Sequence, residues 1–467
     1  MESAEDDIGR LLRFRPKGYQ FAPSYKAERW DGYISLVRHR GGRTYFPAGL
    51  VANVLAQPWA ARWEVRDLRK QPPYIEGLYA PGRLTSLDEA QEAAVRAATE
   101  AGRGVVQYPT GTGKARIIGE TVRCLGVPTL VLCDKIDLVH QLAKELSACL
   151  GTPIGQIGGG AWAVEPCTVS TYQTLARRIK PDENNKIDRE MLGLLNQFQA
   201  VICDEGHHSE AKTFANVLKH MNAAYYRLAF SATPFKSYTR GKAADKGTFL
   251  QVQAWTGPPI AQLSISDGVE TGRIVPVELF VVGGCEWPLK RGPQLNFGDE
   301  YQTGIVENQA RNALICTIVN ALRRAGPTII ITERIEHGSF LADQLGSPFM
   351  HGGVNPGERG RHYAAFRAGD IACMVVSKIA DEALDLPNVE HLVLAGGGRA
   401  PHRQIQRIGR GMRASAGKER VVVFDFIDYG KYIGAHYRRR RRLYDAEPAY
   451  QVVDIGAHEV REWLSTP

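Results

Sequence analysis

The sequence predicts an α/β protein with two successive parallel sheets behind a small N-terminal α+β domain. Two series of short apolar runs support this prediction, because within each series the runs alternate with segments whose apolar residues recur at helical spacing. Short buried strands separated by helices are typical of parallel sheets that are covered on both faces. The first series lies at 104–108, 129–133, 200–204 and 227–231, and the second at 328–332, 373–377, 391–395 and 420–426.

The composition is that of a globular protein of several domains. The 467 residues are 44% hydrophobic and 23% charged, which excludes wholesale disorder. The segment 257–300, which carries prolines, glycines and polar residues, is predicted to link the two sheets. The predicted boundaries are 1–80 for the accessory domain, 81–270 for the first sheet, 271–445 for the second sheet and 446–467 for a C-terminal tail.

The chain shows no sign of a membrane segment. Its longest apolar runs, such as 421–424, are far shorter than the roughly 18 residues of a membrane span. The acidic N-terminus lacks the apolar stretch of a secretory signal. We therefore expect a cytoplasmic protein with no membrane partner. The formal net charge of +8 permits a polyanionic partner without requiring one.

The cysteines do not predict a metal or redox site. All eight are scattered, with no pair at CxxC spacing, and several lie inside apolar runs such as 131–133 and 201–203. We expect buried, reduced thiols. His207 and His208 are adjacent, but no Cys or second His pair lies at ligand spacing, so a zinc site is not expected.

A phosphate-binding loop is predicted between the first apolar run and a helical stretch. Residues 108–114 read Tyr-Pro-Thr-Gly-Thr-Gly-Lys. Glycines let backbone N–H groups close on phosphates, the helix N-terminus adds positive potential, and Lys114 would reach the β and γ phosphates. An ordinary glycine-rich turn is the alternative interpretation. The candidate nucleotide-binding residues are Thr110, Gly111, Thr112, Gly113, Lys114 and Ala115; Ala115 stands where a Ser or Thr hydroxyl usually binds Mg²⁺.

An acidic pair follows the apolar run at 200–203. Ligands of open parallel sheets bind at the carboxyl ends of the strands, where Asp204 and Glu205 are expected. We expect Asp204 to hold Mg²⁺ and Glu205 to orient or deprotonate the attacking water. A helix-capping aspartate is the alternative, but the upstream phosphate loop favours the catalytic interpretation.

A basic cluster lies late in the chain. Gln406, Arg410 and Arg413 fall at i, i+4 and i+7, on roughly one face of a helix. A solvated basic helix is the usual explanation of such spacing. The alternative is a pair of arginine fingers, Arg410 and Arg413, which would stabilise charge on the γ-phosphate in the transition state.

These three elements, in this order, resemble the superfamily 2 DExH-box helicases and translocases. The resemblance covers nearly all of 84–428. Small departures are Ala90, where relatives often carry an aromatic residue, and Ala383, where they usually carry glycine. The matching motifs are Gln91 in LDEAQEAAV, TLVLCDKIDLVHQ (129–141), VSTYQTL (169–175), DEGH (204–207), SATP (231–234), TERIEHG (332–338), SKIADEALDLP (377–387) and QRIGRGMR (406–413).

The resemblance implies two RecA-like domains with ATP and Mg²⁺ in the cleft between them and nucleic acid across both. Gln91 would read the adenine, and Asp385 would lie with the nucleotide-binding residues. His207, Ser231 and Thr233 would couple the ATP site to the nucleic acid. Small hydroxyl groups can grip a strand irrespective of its sequence, and the candidates for these contacts are Thr171, Thr332 and Ser377.

Within the superfamily, the DExHH form, GIVENQARN at 304–312 and the N-terminal WDGYISL and FPAGL runs most resemble phage UvsW-type helicases, with XPB-like enzymes more distant. In such relatives the N-terminal domain binds duplex DNA, which Arg38, Arg40 and Arg43 would do here. Trp30 and Tyr33 could share that surface or simply be core residues. Alternation in YISLV and TYF predicts short antiparallel strands around a Gly41-Gly42 turn.

The resemblance implies an ATP-dependent DNA helicase or translocase that remodels forks, R-loops or Holliday junctions in replication, recombination or repair. A monomer in the cytoplasm is expected, in the host cytoplasm if the chain is phage-encoded, with RNA–DNA hybrids as a further substrate. Three alternatives stay open: the motor of a restriction or defence complex, an RNA helicase, and an ATP-binding scaffold with weak turnover, which Ala115 suggests.

The run 438–442 of five arginines is a solvated helix face or a patch that tracks phosphates.

Overall fold

The computed structural model describes residues 4–16, 18–61, 63–80, 86–180, 188–204, 211–232, 244–285, 296–377, 388–398, 407–409, 411–415, 417–460 and 462. The chain divides into two compact units. The first contains Met1–Tyr108 and Gly113–Leu263, and the second contains Pro109–Thr112 and Ser264–Pro467.

The N-terminal part of the first unit is a small α+β arrangement with two antiparallel pairs, β1–β2 and β3–β4. The predicted turn is confirmed, since Gly41 (φ 58°) and Gly42 (φ 68°) close the β3–β4 hairpin with the positive φ angles of a two-residue turn. The YISLV run is not the partner strand, because only its residues 34–35 pair, with β1. The elements are α1 (Ala4–Leu11), β1 (Arg13–Phe14), α2 (Pro23–Lys26), β2 (Ile34–Ser35), β3 (Arg38–Arg40), β4 (Arg43–Tyr45) and α3 (Val51–Leu55), with 3₁₀ turns at Tyr19–Phe21, Ala48–Leu50 and Pro58–Ala60.

The rest of the first unit is an eight-stranded sheet in the order β12-β5-β11-β10-β6-β9-β7-β8. All neighbouring strands are parallel except the edge pair β7–β8. The elements are α4 (Glu89–Ala101), β5 (Arg103–Gln107), α5 (Lys114–Leu125), β6 (Thr129–Cys133), α6 (Ile136–Leu150), β7 (Gly155–Gly158), β8 (Ala161–Ala163), β9 (Cys167–Thr171), α7 (Tyr172–Arg178), α8 (Arg189–Leu195), β10 (Ala200–Asp204), α9 (Ala211–His220), β11 (Tyr226–Ser231), α10 (Ala244–Thr256) and β12 (Pro259–Gln262).

Buried side chains cover both faces of this sheet. Val106, Val131 and Ile202 pack with the helices of one face, whereas Val105 and Val201 pack with those of the other. This two-sided burial explains why the strands read as continuous apolar runs rather than alternating ones. The N-terminal part packs on α10 through a separate cluster of apolar residues, which includes Leu12, Phe14, Leu50, Leu250 and Ala254.

The second unit holds a seven-stranded sheet in the order β15-β16-β14-β17-β18-β13-β19, parallel throughout. The predicted fold class, two parallel sheets with covering helices, is therefore confirmed. The elements are α11 (Ile265–Glu270), β13 (Val277–Gly283), α12 (Phe297–Tyr301), a π-helical turn at Gln302–Val306, α13 (Gln309–Ala325), β14 (Thr328–Ile331), α14 (Ile335–Leu345), β15 (Phe349–Met350), α15 (Pro356–Ala368), β16 (Cys373–Val376), β17 (His391–Leu394), β18 (Val421–Phe426), α16 (Ile433–Tyr444) and β19 (Tyr450–Gly456).

Two boundary expectations were wrong. The segment 257–300, predicted as a linker, contributes β12 to the first sheet and β13 to the second. Residues 450–456, predicted to belong to a tail, form the edge strand β19. An edge strand pairs with only one neighbour and is more exposed, so its sequence is less continuously apolar than that of a central strand. No helix in the described ranges is long and apolar enough to cross a membrane.

Candidate nucleotide-binding site and motor elements

The phosphate loop follows β5 and ends where α5 begins at Lys114. Gly111 and Gly113 have φ angles of 93° and 78°, which side chains other than glycine rarely adopt. Gly113 is the N-cap of α5, so the loop leads its backbone directly to a helix N-terminus. This is the setting in which backbone N–H groups bind phosphate.

Gln91 lies beside this loop. A Cβ built on Gly113 would come within 2.6 Å of the Gln91 Nε2 atom, so a larger residue at position 113 would displace the amide. The same glutamine completes a capping box at the start of α4: its backbone N–H donates to Asp88 Oδ1 (2.9 Å), and its Oε1 accepts from the Asp88 N–H (3.1 Å). The cap fixes the glutamine next to Gly113.

Three predicted motor elements meet at one edge of the first sheet. Strands β5, β11 and β10 are adjacent and parallel. The loop before Lys114 follows the carboxyl end of β5, and Ser231 and Asp204 are the last residues of β11 and β10. The Tyr108 N–H donates to the Ser231 carbonyl (3.0 Å), and Lys114 Nζ donates to the Tyr108 carbonyl (3.4 Å). Glu205, His207 and Thr233 lie outside the described residues.

The carboxylate of Asp204 raises the pKa of two cysteines at this edge. Burial raises the pKa of Cys133 and of Cys203, and the nearby Asp204 carboxylate adds to both shifts. Both thiols therefore stay protonated at neutral pH and are not nucleophiles. The cysteines form no disulfide, and five of the eight are buried, as the sequence predicts.

The residues at this edge fit a magnesium ion held mainly by a nucleotide. Among the described residues, no group of three His, Cys, Asp or Glu side chains could hold a metal by itself. Mg²⁺ usually takes one or two carboxylates together with phosphate oxygens and water, which suits Asp204. Ala115 packs against the apolar core and offers no hydroxyl, so water would take that coordination position.

The segment with the predicted arginine fingers is anchored in the second unit. The guanidinium of Arg407 pairs with Glu333 (2.7 Å) and is almost fully buried. Arg413 forms a β-bridge with Ile274, and the Val275 N–H donates to the Met412 carbonyl (2.7 Å). Gln406, Arg410 and Asp385 lie outside the described residues.

Arg413 also lies near a glycine of the second unit. Residues 109–112, which include Thr110, Gly111 and Thr112, group with this unit. A Cβ built on Gly111 would be 3.0 Å from Arg413 Cγ and 3.3 Å from Ile274 Cγ2. Thr112 is buried, and its hydroxyl donates to the Pro109 carbonyl (2.8 Å). The hydroxyl therefore shapes the turn.

The three predicted phosphate contacts are all buried: Thr171 is 5% exposed, Thr332 is fully buried and Ser377 is 7% exposed. The Thr171 hydroxyl caps α7 by accepting from the Thr174 N–H (3.2 Å). Thr332 is fully buried, with its hydroxyl 3.4 Å from the Val376 carbonyl, so a strand could reach it only if this packing changed. Ser377 follows β16 and is also buried, although not completely.

The predicted basic surface of the N-terminal part is exposed. Arg38, Arg40 and Arg43 all lie on the β3–β4 hairpin and reach solvent. Tyr33 is half-buried rather than a core residue, and the guanidinium groups of Arg13 and Arg15 each lie 4.5 Å from its ring centroid. The sequence pattern did not identify these cation–π contacts.

Sequence reasoning also missed the ion pair of Arg407 with Glu333. Both residues stand inside the recognised motifs, but motif spacing points to the exposed face of a helix. The signal that could have found the pair is the position of Arg407, which is one residue from Gln406 and therefore on a different helix face.

Two protein-family models match this chain. One, described as "Type III restriction enzyme, res subunit", matches residues 84–236, and the other, "Helicase conserved C-terminal domain", matches residues 310–415. Together they cover more than half of the chain. The chain belongs to the superfamily 2 helicases. The resemblance inferred from the motifs is thus confirmed, and membership of this family implies the use of a nucleotide.

Several curated proteins are similar to this superfamily 2 chain. The "Putative DNA 3'-5' helicase Rad25" of Halobacterium salinarum is 28% identical over 73% of this chain and 54% of its own length. The "DNA 3'-5' helicase XPB" of Mycobacterium tuberculosis is 26% identical over 85% and 71%. The "ATP-dependent DNA helicase uvsW" of Enterobacteria phage T4 is 21% identical over 91% and 87%. The chain thus spans only about half the length of the Rad25 relative.

A solved structure supports the fold. S. cerevisiae Dbp5 bound to RNA and ADP BeF3 superposes with a TM-score of 0.57 at 15% sequence identity, over 82% of this chain and 93% of Dbp5. At that identity the likeness shows the fold alone. It agrees with the two RecA-like sheets of this helicase-family member.

Proposed function

We propose that this chain is an ATP-dependent DNA helicase or translocase that remodels duplex or branched DNA in replication, recombination or repair. The observation that supports this most is the edge of the first sheet where the phosphate loop, Asp204 and Ser231 follow adjacent strands, with Gln91 beside Gly113. Nucleotide hydrolysis needs a phosphate cradle and a metal ligand in one place, and a glutamine beside them could select the base.

In this proposal each residue has a defined part in hydrolysis. Lys114 binds the β and γ phosphates, and Asp204 holds Mg²⁺, which would neutralise charge on the phosphates when bound. Glu205 orients or deprotonates the attacking water. Arg410 and Arg413, with Gln406, stabilise charge on the γ-phosphate in the transition state, because a guanidinium forks onto phosphate oxygens and stays charged.

Ser231 is the proposed link between hydrolysis and nucleic acid, together with His207 and Thr233. The Ser231 carbonyl holds the Tyr108 N–H at the start of the phosphate loop, so a shift of either strand end moves the other. Such a shared hydrogen bond can pass a change at the phosphates to the neighbouring strand.

DNA is the proposed substrate because the names of the XPB and UvsW relatives specify DNA. The exposed arginines of the β3–β4 hairpin supply positive charge for a duplex, and Ser377 and Thr171 are proposed to lie along a single strand. We propose a monomer that acts in the cytoplasm and also accepts RNA–DNA hybrids.

The test is the steady-state rate of ATP hydrolysis without nucleic acid and with single-stranded DNA, duplex DNA, forked DNA and single-stranded RNA. We expect stimulation by DNA, greatest on the forked substrate, and little by RNA. Lys114→Ala should abolish the stimulated rate, whereas Lys219→Ala, which changes an exposed lysine of the same unit, should preserve it. Equal rates for the wild type on all substrates and for Lys114→Ala would contradict the proposal.

A second candidate is the motor of a restriction complex, which is favoured by the family model over residues 84–236, "Type III restriction enzyme, res subunit". It uses the same chemistry but requires a nuclease partner. Purification from the native host separates the two candidates: a stable complex with a nuclease supports the restriction motor, and an isolated chain active on forked DNA supports the first proposal.

A further inference from the structure

A short backbone loop connects the second sheet to the proposed arginine fingers. Residues 395–398, here called the carbonyl loop, follow β17 and precede the segment 399–413 that carries Arg410 and Arg413. Three of its carbonyl oxygens accept hydrogen bonds from side chains. Arg311 Nη1 donates to Ala395 (2.8 Å), the Tyr301 hydroxyl donates to Gly396, and Arg440 Nη1 donates to Gly398 (3.3 Å).

The two arginines that hold this loop are buried in a charged network. Arg440 is fully buried; its Nε donates to Asp425 Oδ2 (2.8 Å) and its Nη2 to Asp428 Oδ2 (2.9 Å). The Tyr444 hydroxyl donates to the same Asp425 oxygen (2.8 Å). Arg311 is 2% exposed at its side chain and lies 3.5 Å from Asp428 Oδ1. Asp428 therefore joins the two arginines.

Both arginines come from sequence features that the proposed function leaves unused. Arg311 belongs to the run GIVENQARN, where the Asn308 side chain accepts the Arg311 N–H (3.0 Å) and so caps α13. Arg440 is the middle residue of the five-arginine run 438–442, which the sequence predicts to be a solvated face or a phosphate patch. That expectation was wrong for Arg440, because α16 turns this residue into the core.

The N-terminus of α16 is also fixed, by a buried carboxylate. Glu300 is buried, and its Oε1 accepts the backbone N–H groups of Tyr432 and Ile433 (2.8 Å each). A carboxylate at a helix N-terminus is favourable because it meets the positive end of the helix dipole. This contact fixes the helix that presents Arg440.

The network contacts the loop so closely that no side chain fits there. Gly397 has a φ of 57°, and a Cβ built on it would lie 2.5 Å from Ile305 Cδ1 and 2.8 Å from Asp428 Oδ2. Buried ion pairs do not in general stabilise a fold more than apolar packing does. The arginines of these pairs also donate to the carbonyls of Ala395 and Gly398, which apolar side chains could not bind.

The far end of the segment is anchored by other cations. Arg407 pairs with Glu333, and Lys418 Nζ donates to the Gly411 carbonyl. Burial is the main cause that lowers the pKa of Lys418 to about 8, and the nearby positive charge of Arg413 lowers it further. The buried Arg407 and the half-buried Lys418 therefore fix two described positions near Arg413, Arg407 itself and Gly411.

We propose that Arg311 and Arg440 are positioning residues for the proposed finger Arg413: by holding the carbonyl loop, they set where the chain that leads to Arg413 leaves the second sheet. The inference rests on the proposed function, since it requires that the fingers act in ATP hydrolysis. A finger acts on charge that develops in the transition state, so a misplaced finger lowers kcat more than it changes KM.

The test uses steady-state ATP hydrolysis with saturating forked DNA. The variants are Arg311→Lys and Arg440→Lys, which keep the charge but lose the planar fork, and Tyr301→Phe, which removes one hydroxyl. We expect kcat to fall about 10- to 100-fold for the arginine variants, in the range of losing one preorganised transition-state donor, and about threefold for Tyr301→Phe. The KM for ATP should stay within about twofold. Arg324→Lys, an exposed position on the same helix as Arg311, is the matched control and should equal the wild type.

A combined variant separates positioning from general stability. If Arg311 acts through Arg413, Arg311→Lys combined with Arg413→Ala should be no slower than Arg413→Ala alone. Multiplied losses in the combined variant, or a raised KM with unchanged kcat in all three single variants, would overturn the inference. Tyr301→Phe keeps the test decisive if an arginine variant fails to fold. An Arg413→Ala variant as fast as the wild type would instead overturn the proposed function.

Discussion

The two halves of the proposed ATPase machinery are built by different means. In the first unit the phosphate-binding edge depends on backbone geometry: the positive φ of Gly113, the start of α5 and strand ends in register. In the second unit the segment with the arginine fingers depends on buried charges, with Arg440, Arg311 and Arg407 paired to carboxylates. A phosphate cradle needs N–H groups at fixed positions, whereas a finger needs a long side chain aimed from a distance. We therefore expect backbone changes in the first unit to lower the affinity for ATP, and changes of the buried charges in the second unit to lower its stability.

The largest effect is expected on the stability of the second unit. Arg440→Met removes the partner of Asp425 and Asp428 and leaves two buried carboxylates without it, which should lower the free energy of unfolding by about 3–5 kcal/mol. Urea denaturation monitored by fluorescence measures this change. The neighbouring Arg439 is exposed, so Arg439→Met should stay within about 0.5 kcal/mol of the wild type. Equal stability of the two variants would show that the buried network does not organise this unit.

A pH dependence is expected from the same unit. His337 is fully buried, and burial, helped by the positive charge of Arg311, lowers its pKa to about 3. The unfolded chain has a histidine pKa near 6.5, so between pH 6.5 and pH 3 only the unfolded state binds this proton. The stability that the neutral ring contributes is present above about pH 6.5 and is lost as the pH falls toward 3.

Comparison with His337→Gln isolates that contribution. The variant keeps a donor toward Asn312 Oδ1, which lies 2.9 Å from His337 Nε2, but has no proton to gain. Between pH 6.5 and pH 5 the wild type should lose about 1.5 kcal/mol more than the variant in urea denaturation. Parallel curves for the two proteins would contradict the assignment of a neutral, buried ring.

The smallest expected effect concerns the phosphate loop of the first unit and its affinity for ATP. Gly113→Ala forces a Cβ toward Gln91 Nε2 in a loop with positive φ, so ATP affinity should fall about tenfold, the loss of roughly one charge-assisted hydrogen bond. Gly160 has a similar φ of 90° with open space around it, so Gly160→Ala carries the strain alone. Equilibrium binding of a fluorescent ATP analogue measures both. If Gly113→Ala and Gly160→Ala bind the analogue with equal affinity, the loop geometry at Gly113 does not determine nucleotide binding.

The backbone side of this comparison was the more predictable from sequence. Glycine spacing before Lys114 and an acidic strand end at Asp204 are local signals, because neighbouring residues create them. The parallel sheet then brings the two together without further information. The sequence therefore predicts the first half of the candidate site from two short runs.

The charged side was less predictable because its partners are distant in sequence. Arg440 reads as one of five surface arginines, and only the packing of α16 on β18 turns it toward Asp425. Arg311 and Asp428 are separated by more than a hundred residues, and no local pattern links them. The missed strands have a related cause: β13 stands between glycines and prolines that suggest a linker, and β19 is a half-exposed edge strand.

The most direct test of the central claim is the DNA-stimulated ATPase rate of Arg413→Ala at saturating ATP, beside the wild type, Lys114→Ala and the exposed control Arg324→Ala. The account predicts a kcat about 100-fold lower for Arg413→Ala with a nearly unchanged KM, a rate for Lys114→Ala at background, and no change for Arg324→Ala. A rate for Arg413→Ala within twofold of the wild type would show that ATP is hydrolysed without this arginine, and would contradict the account.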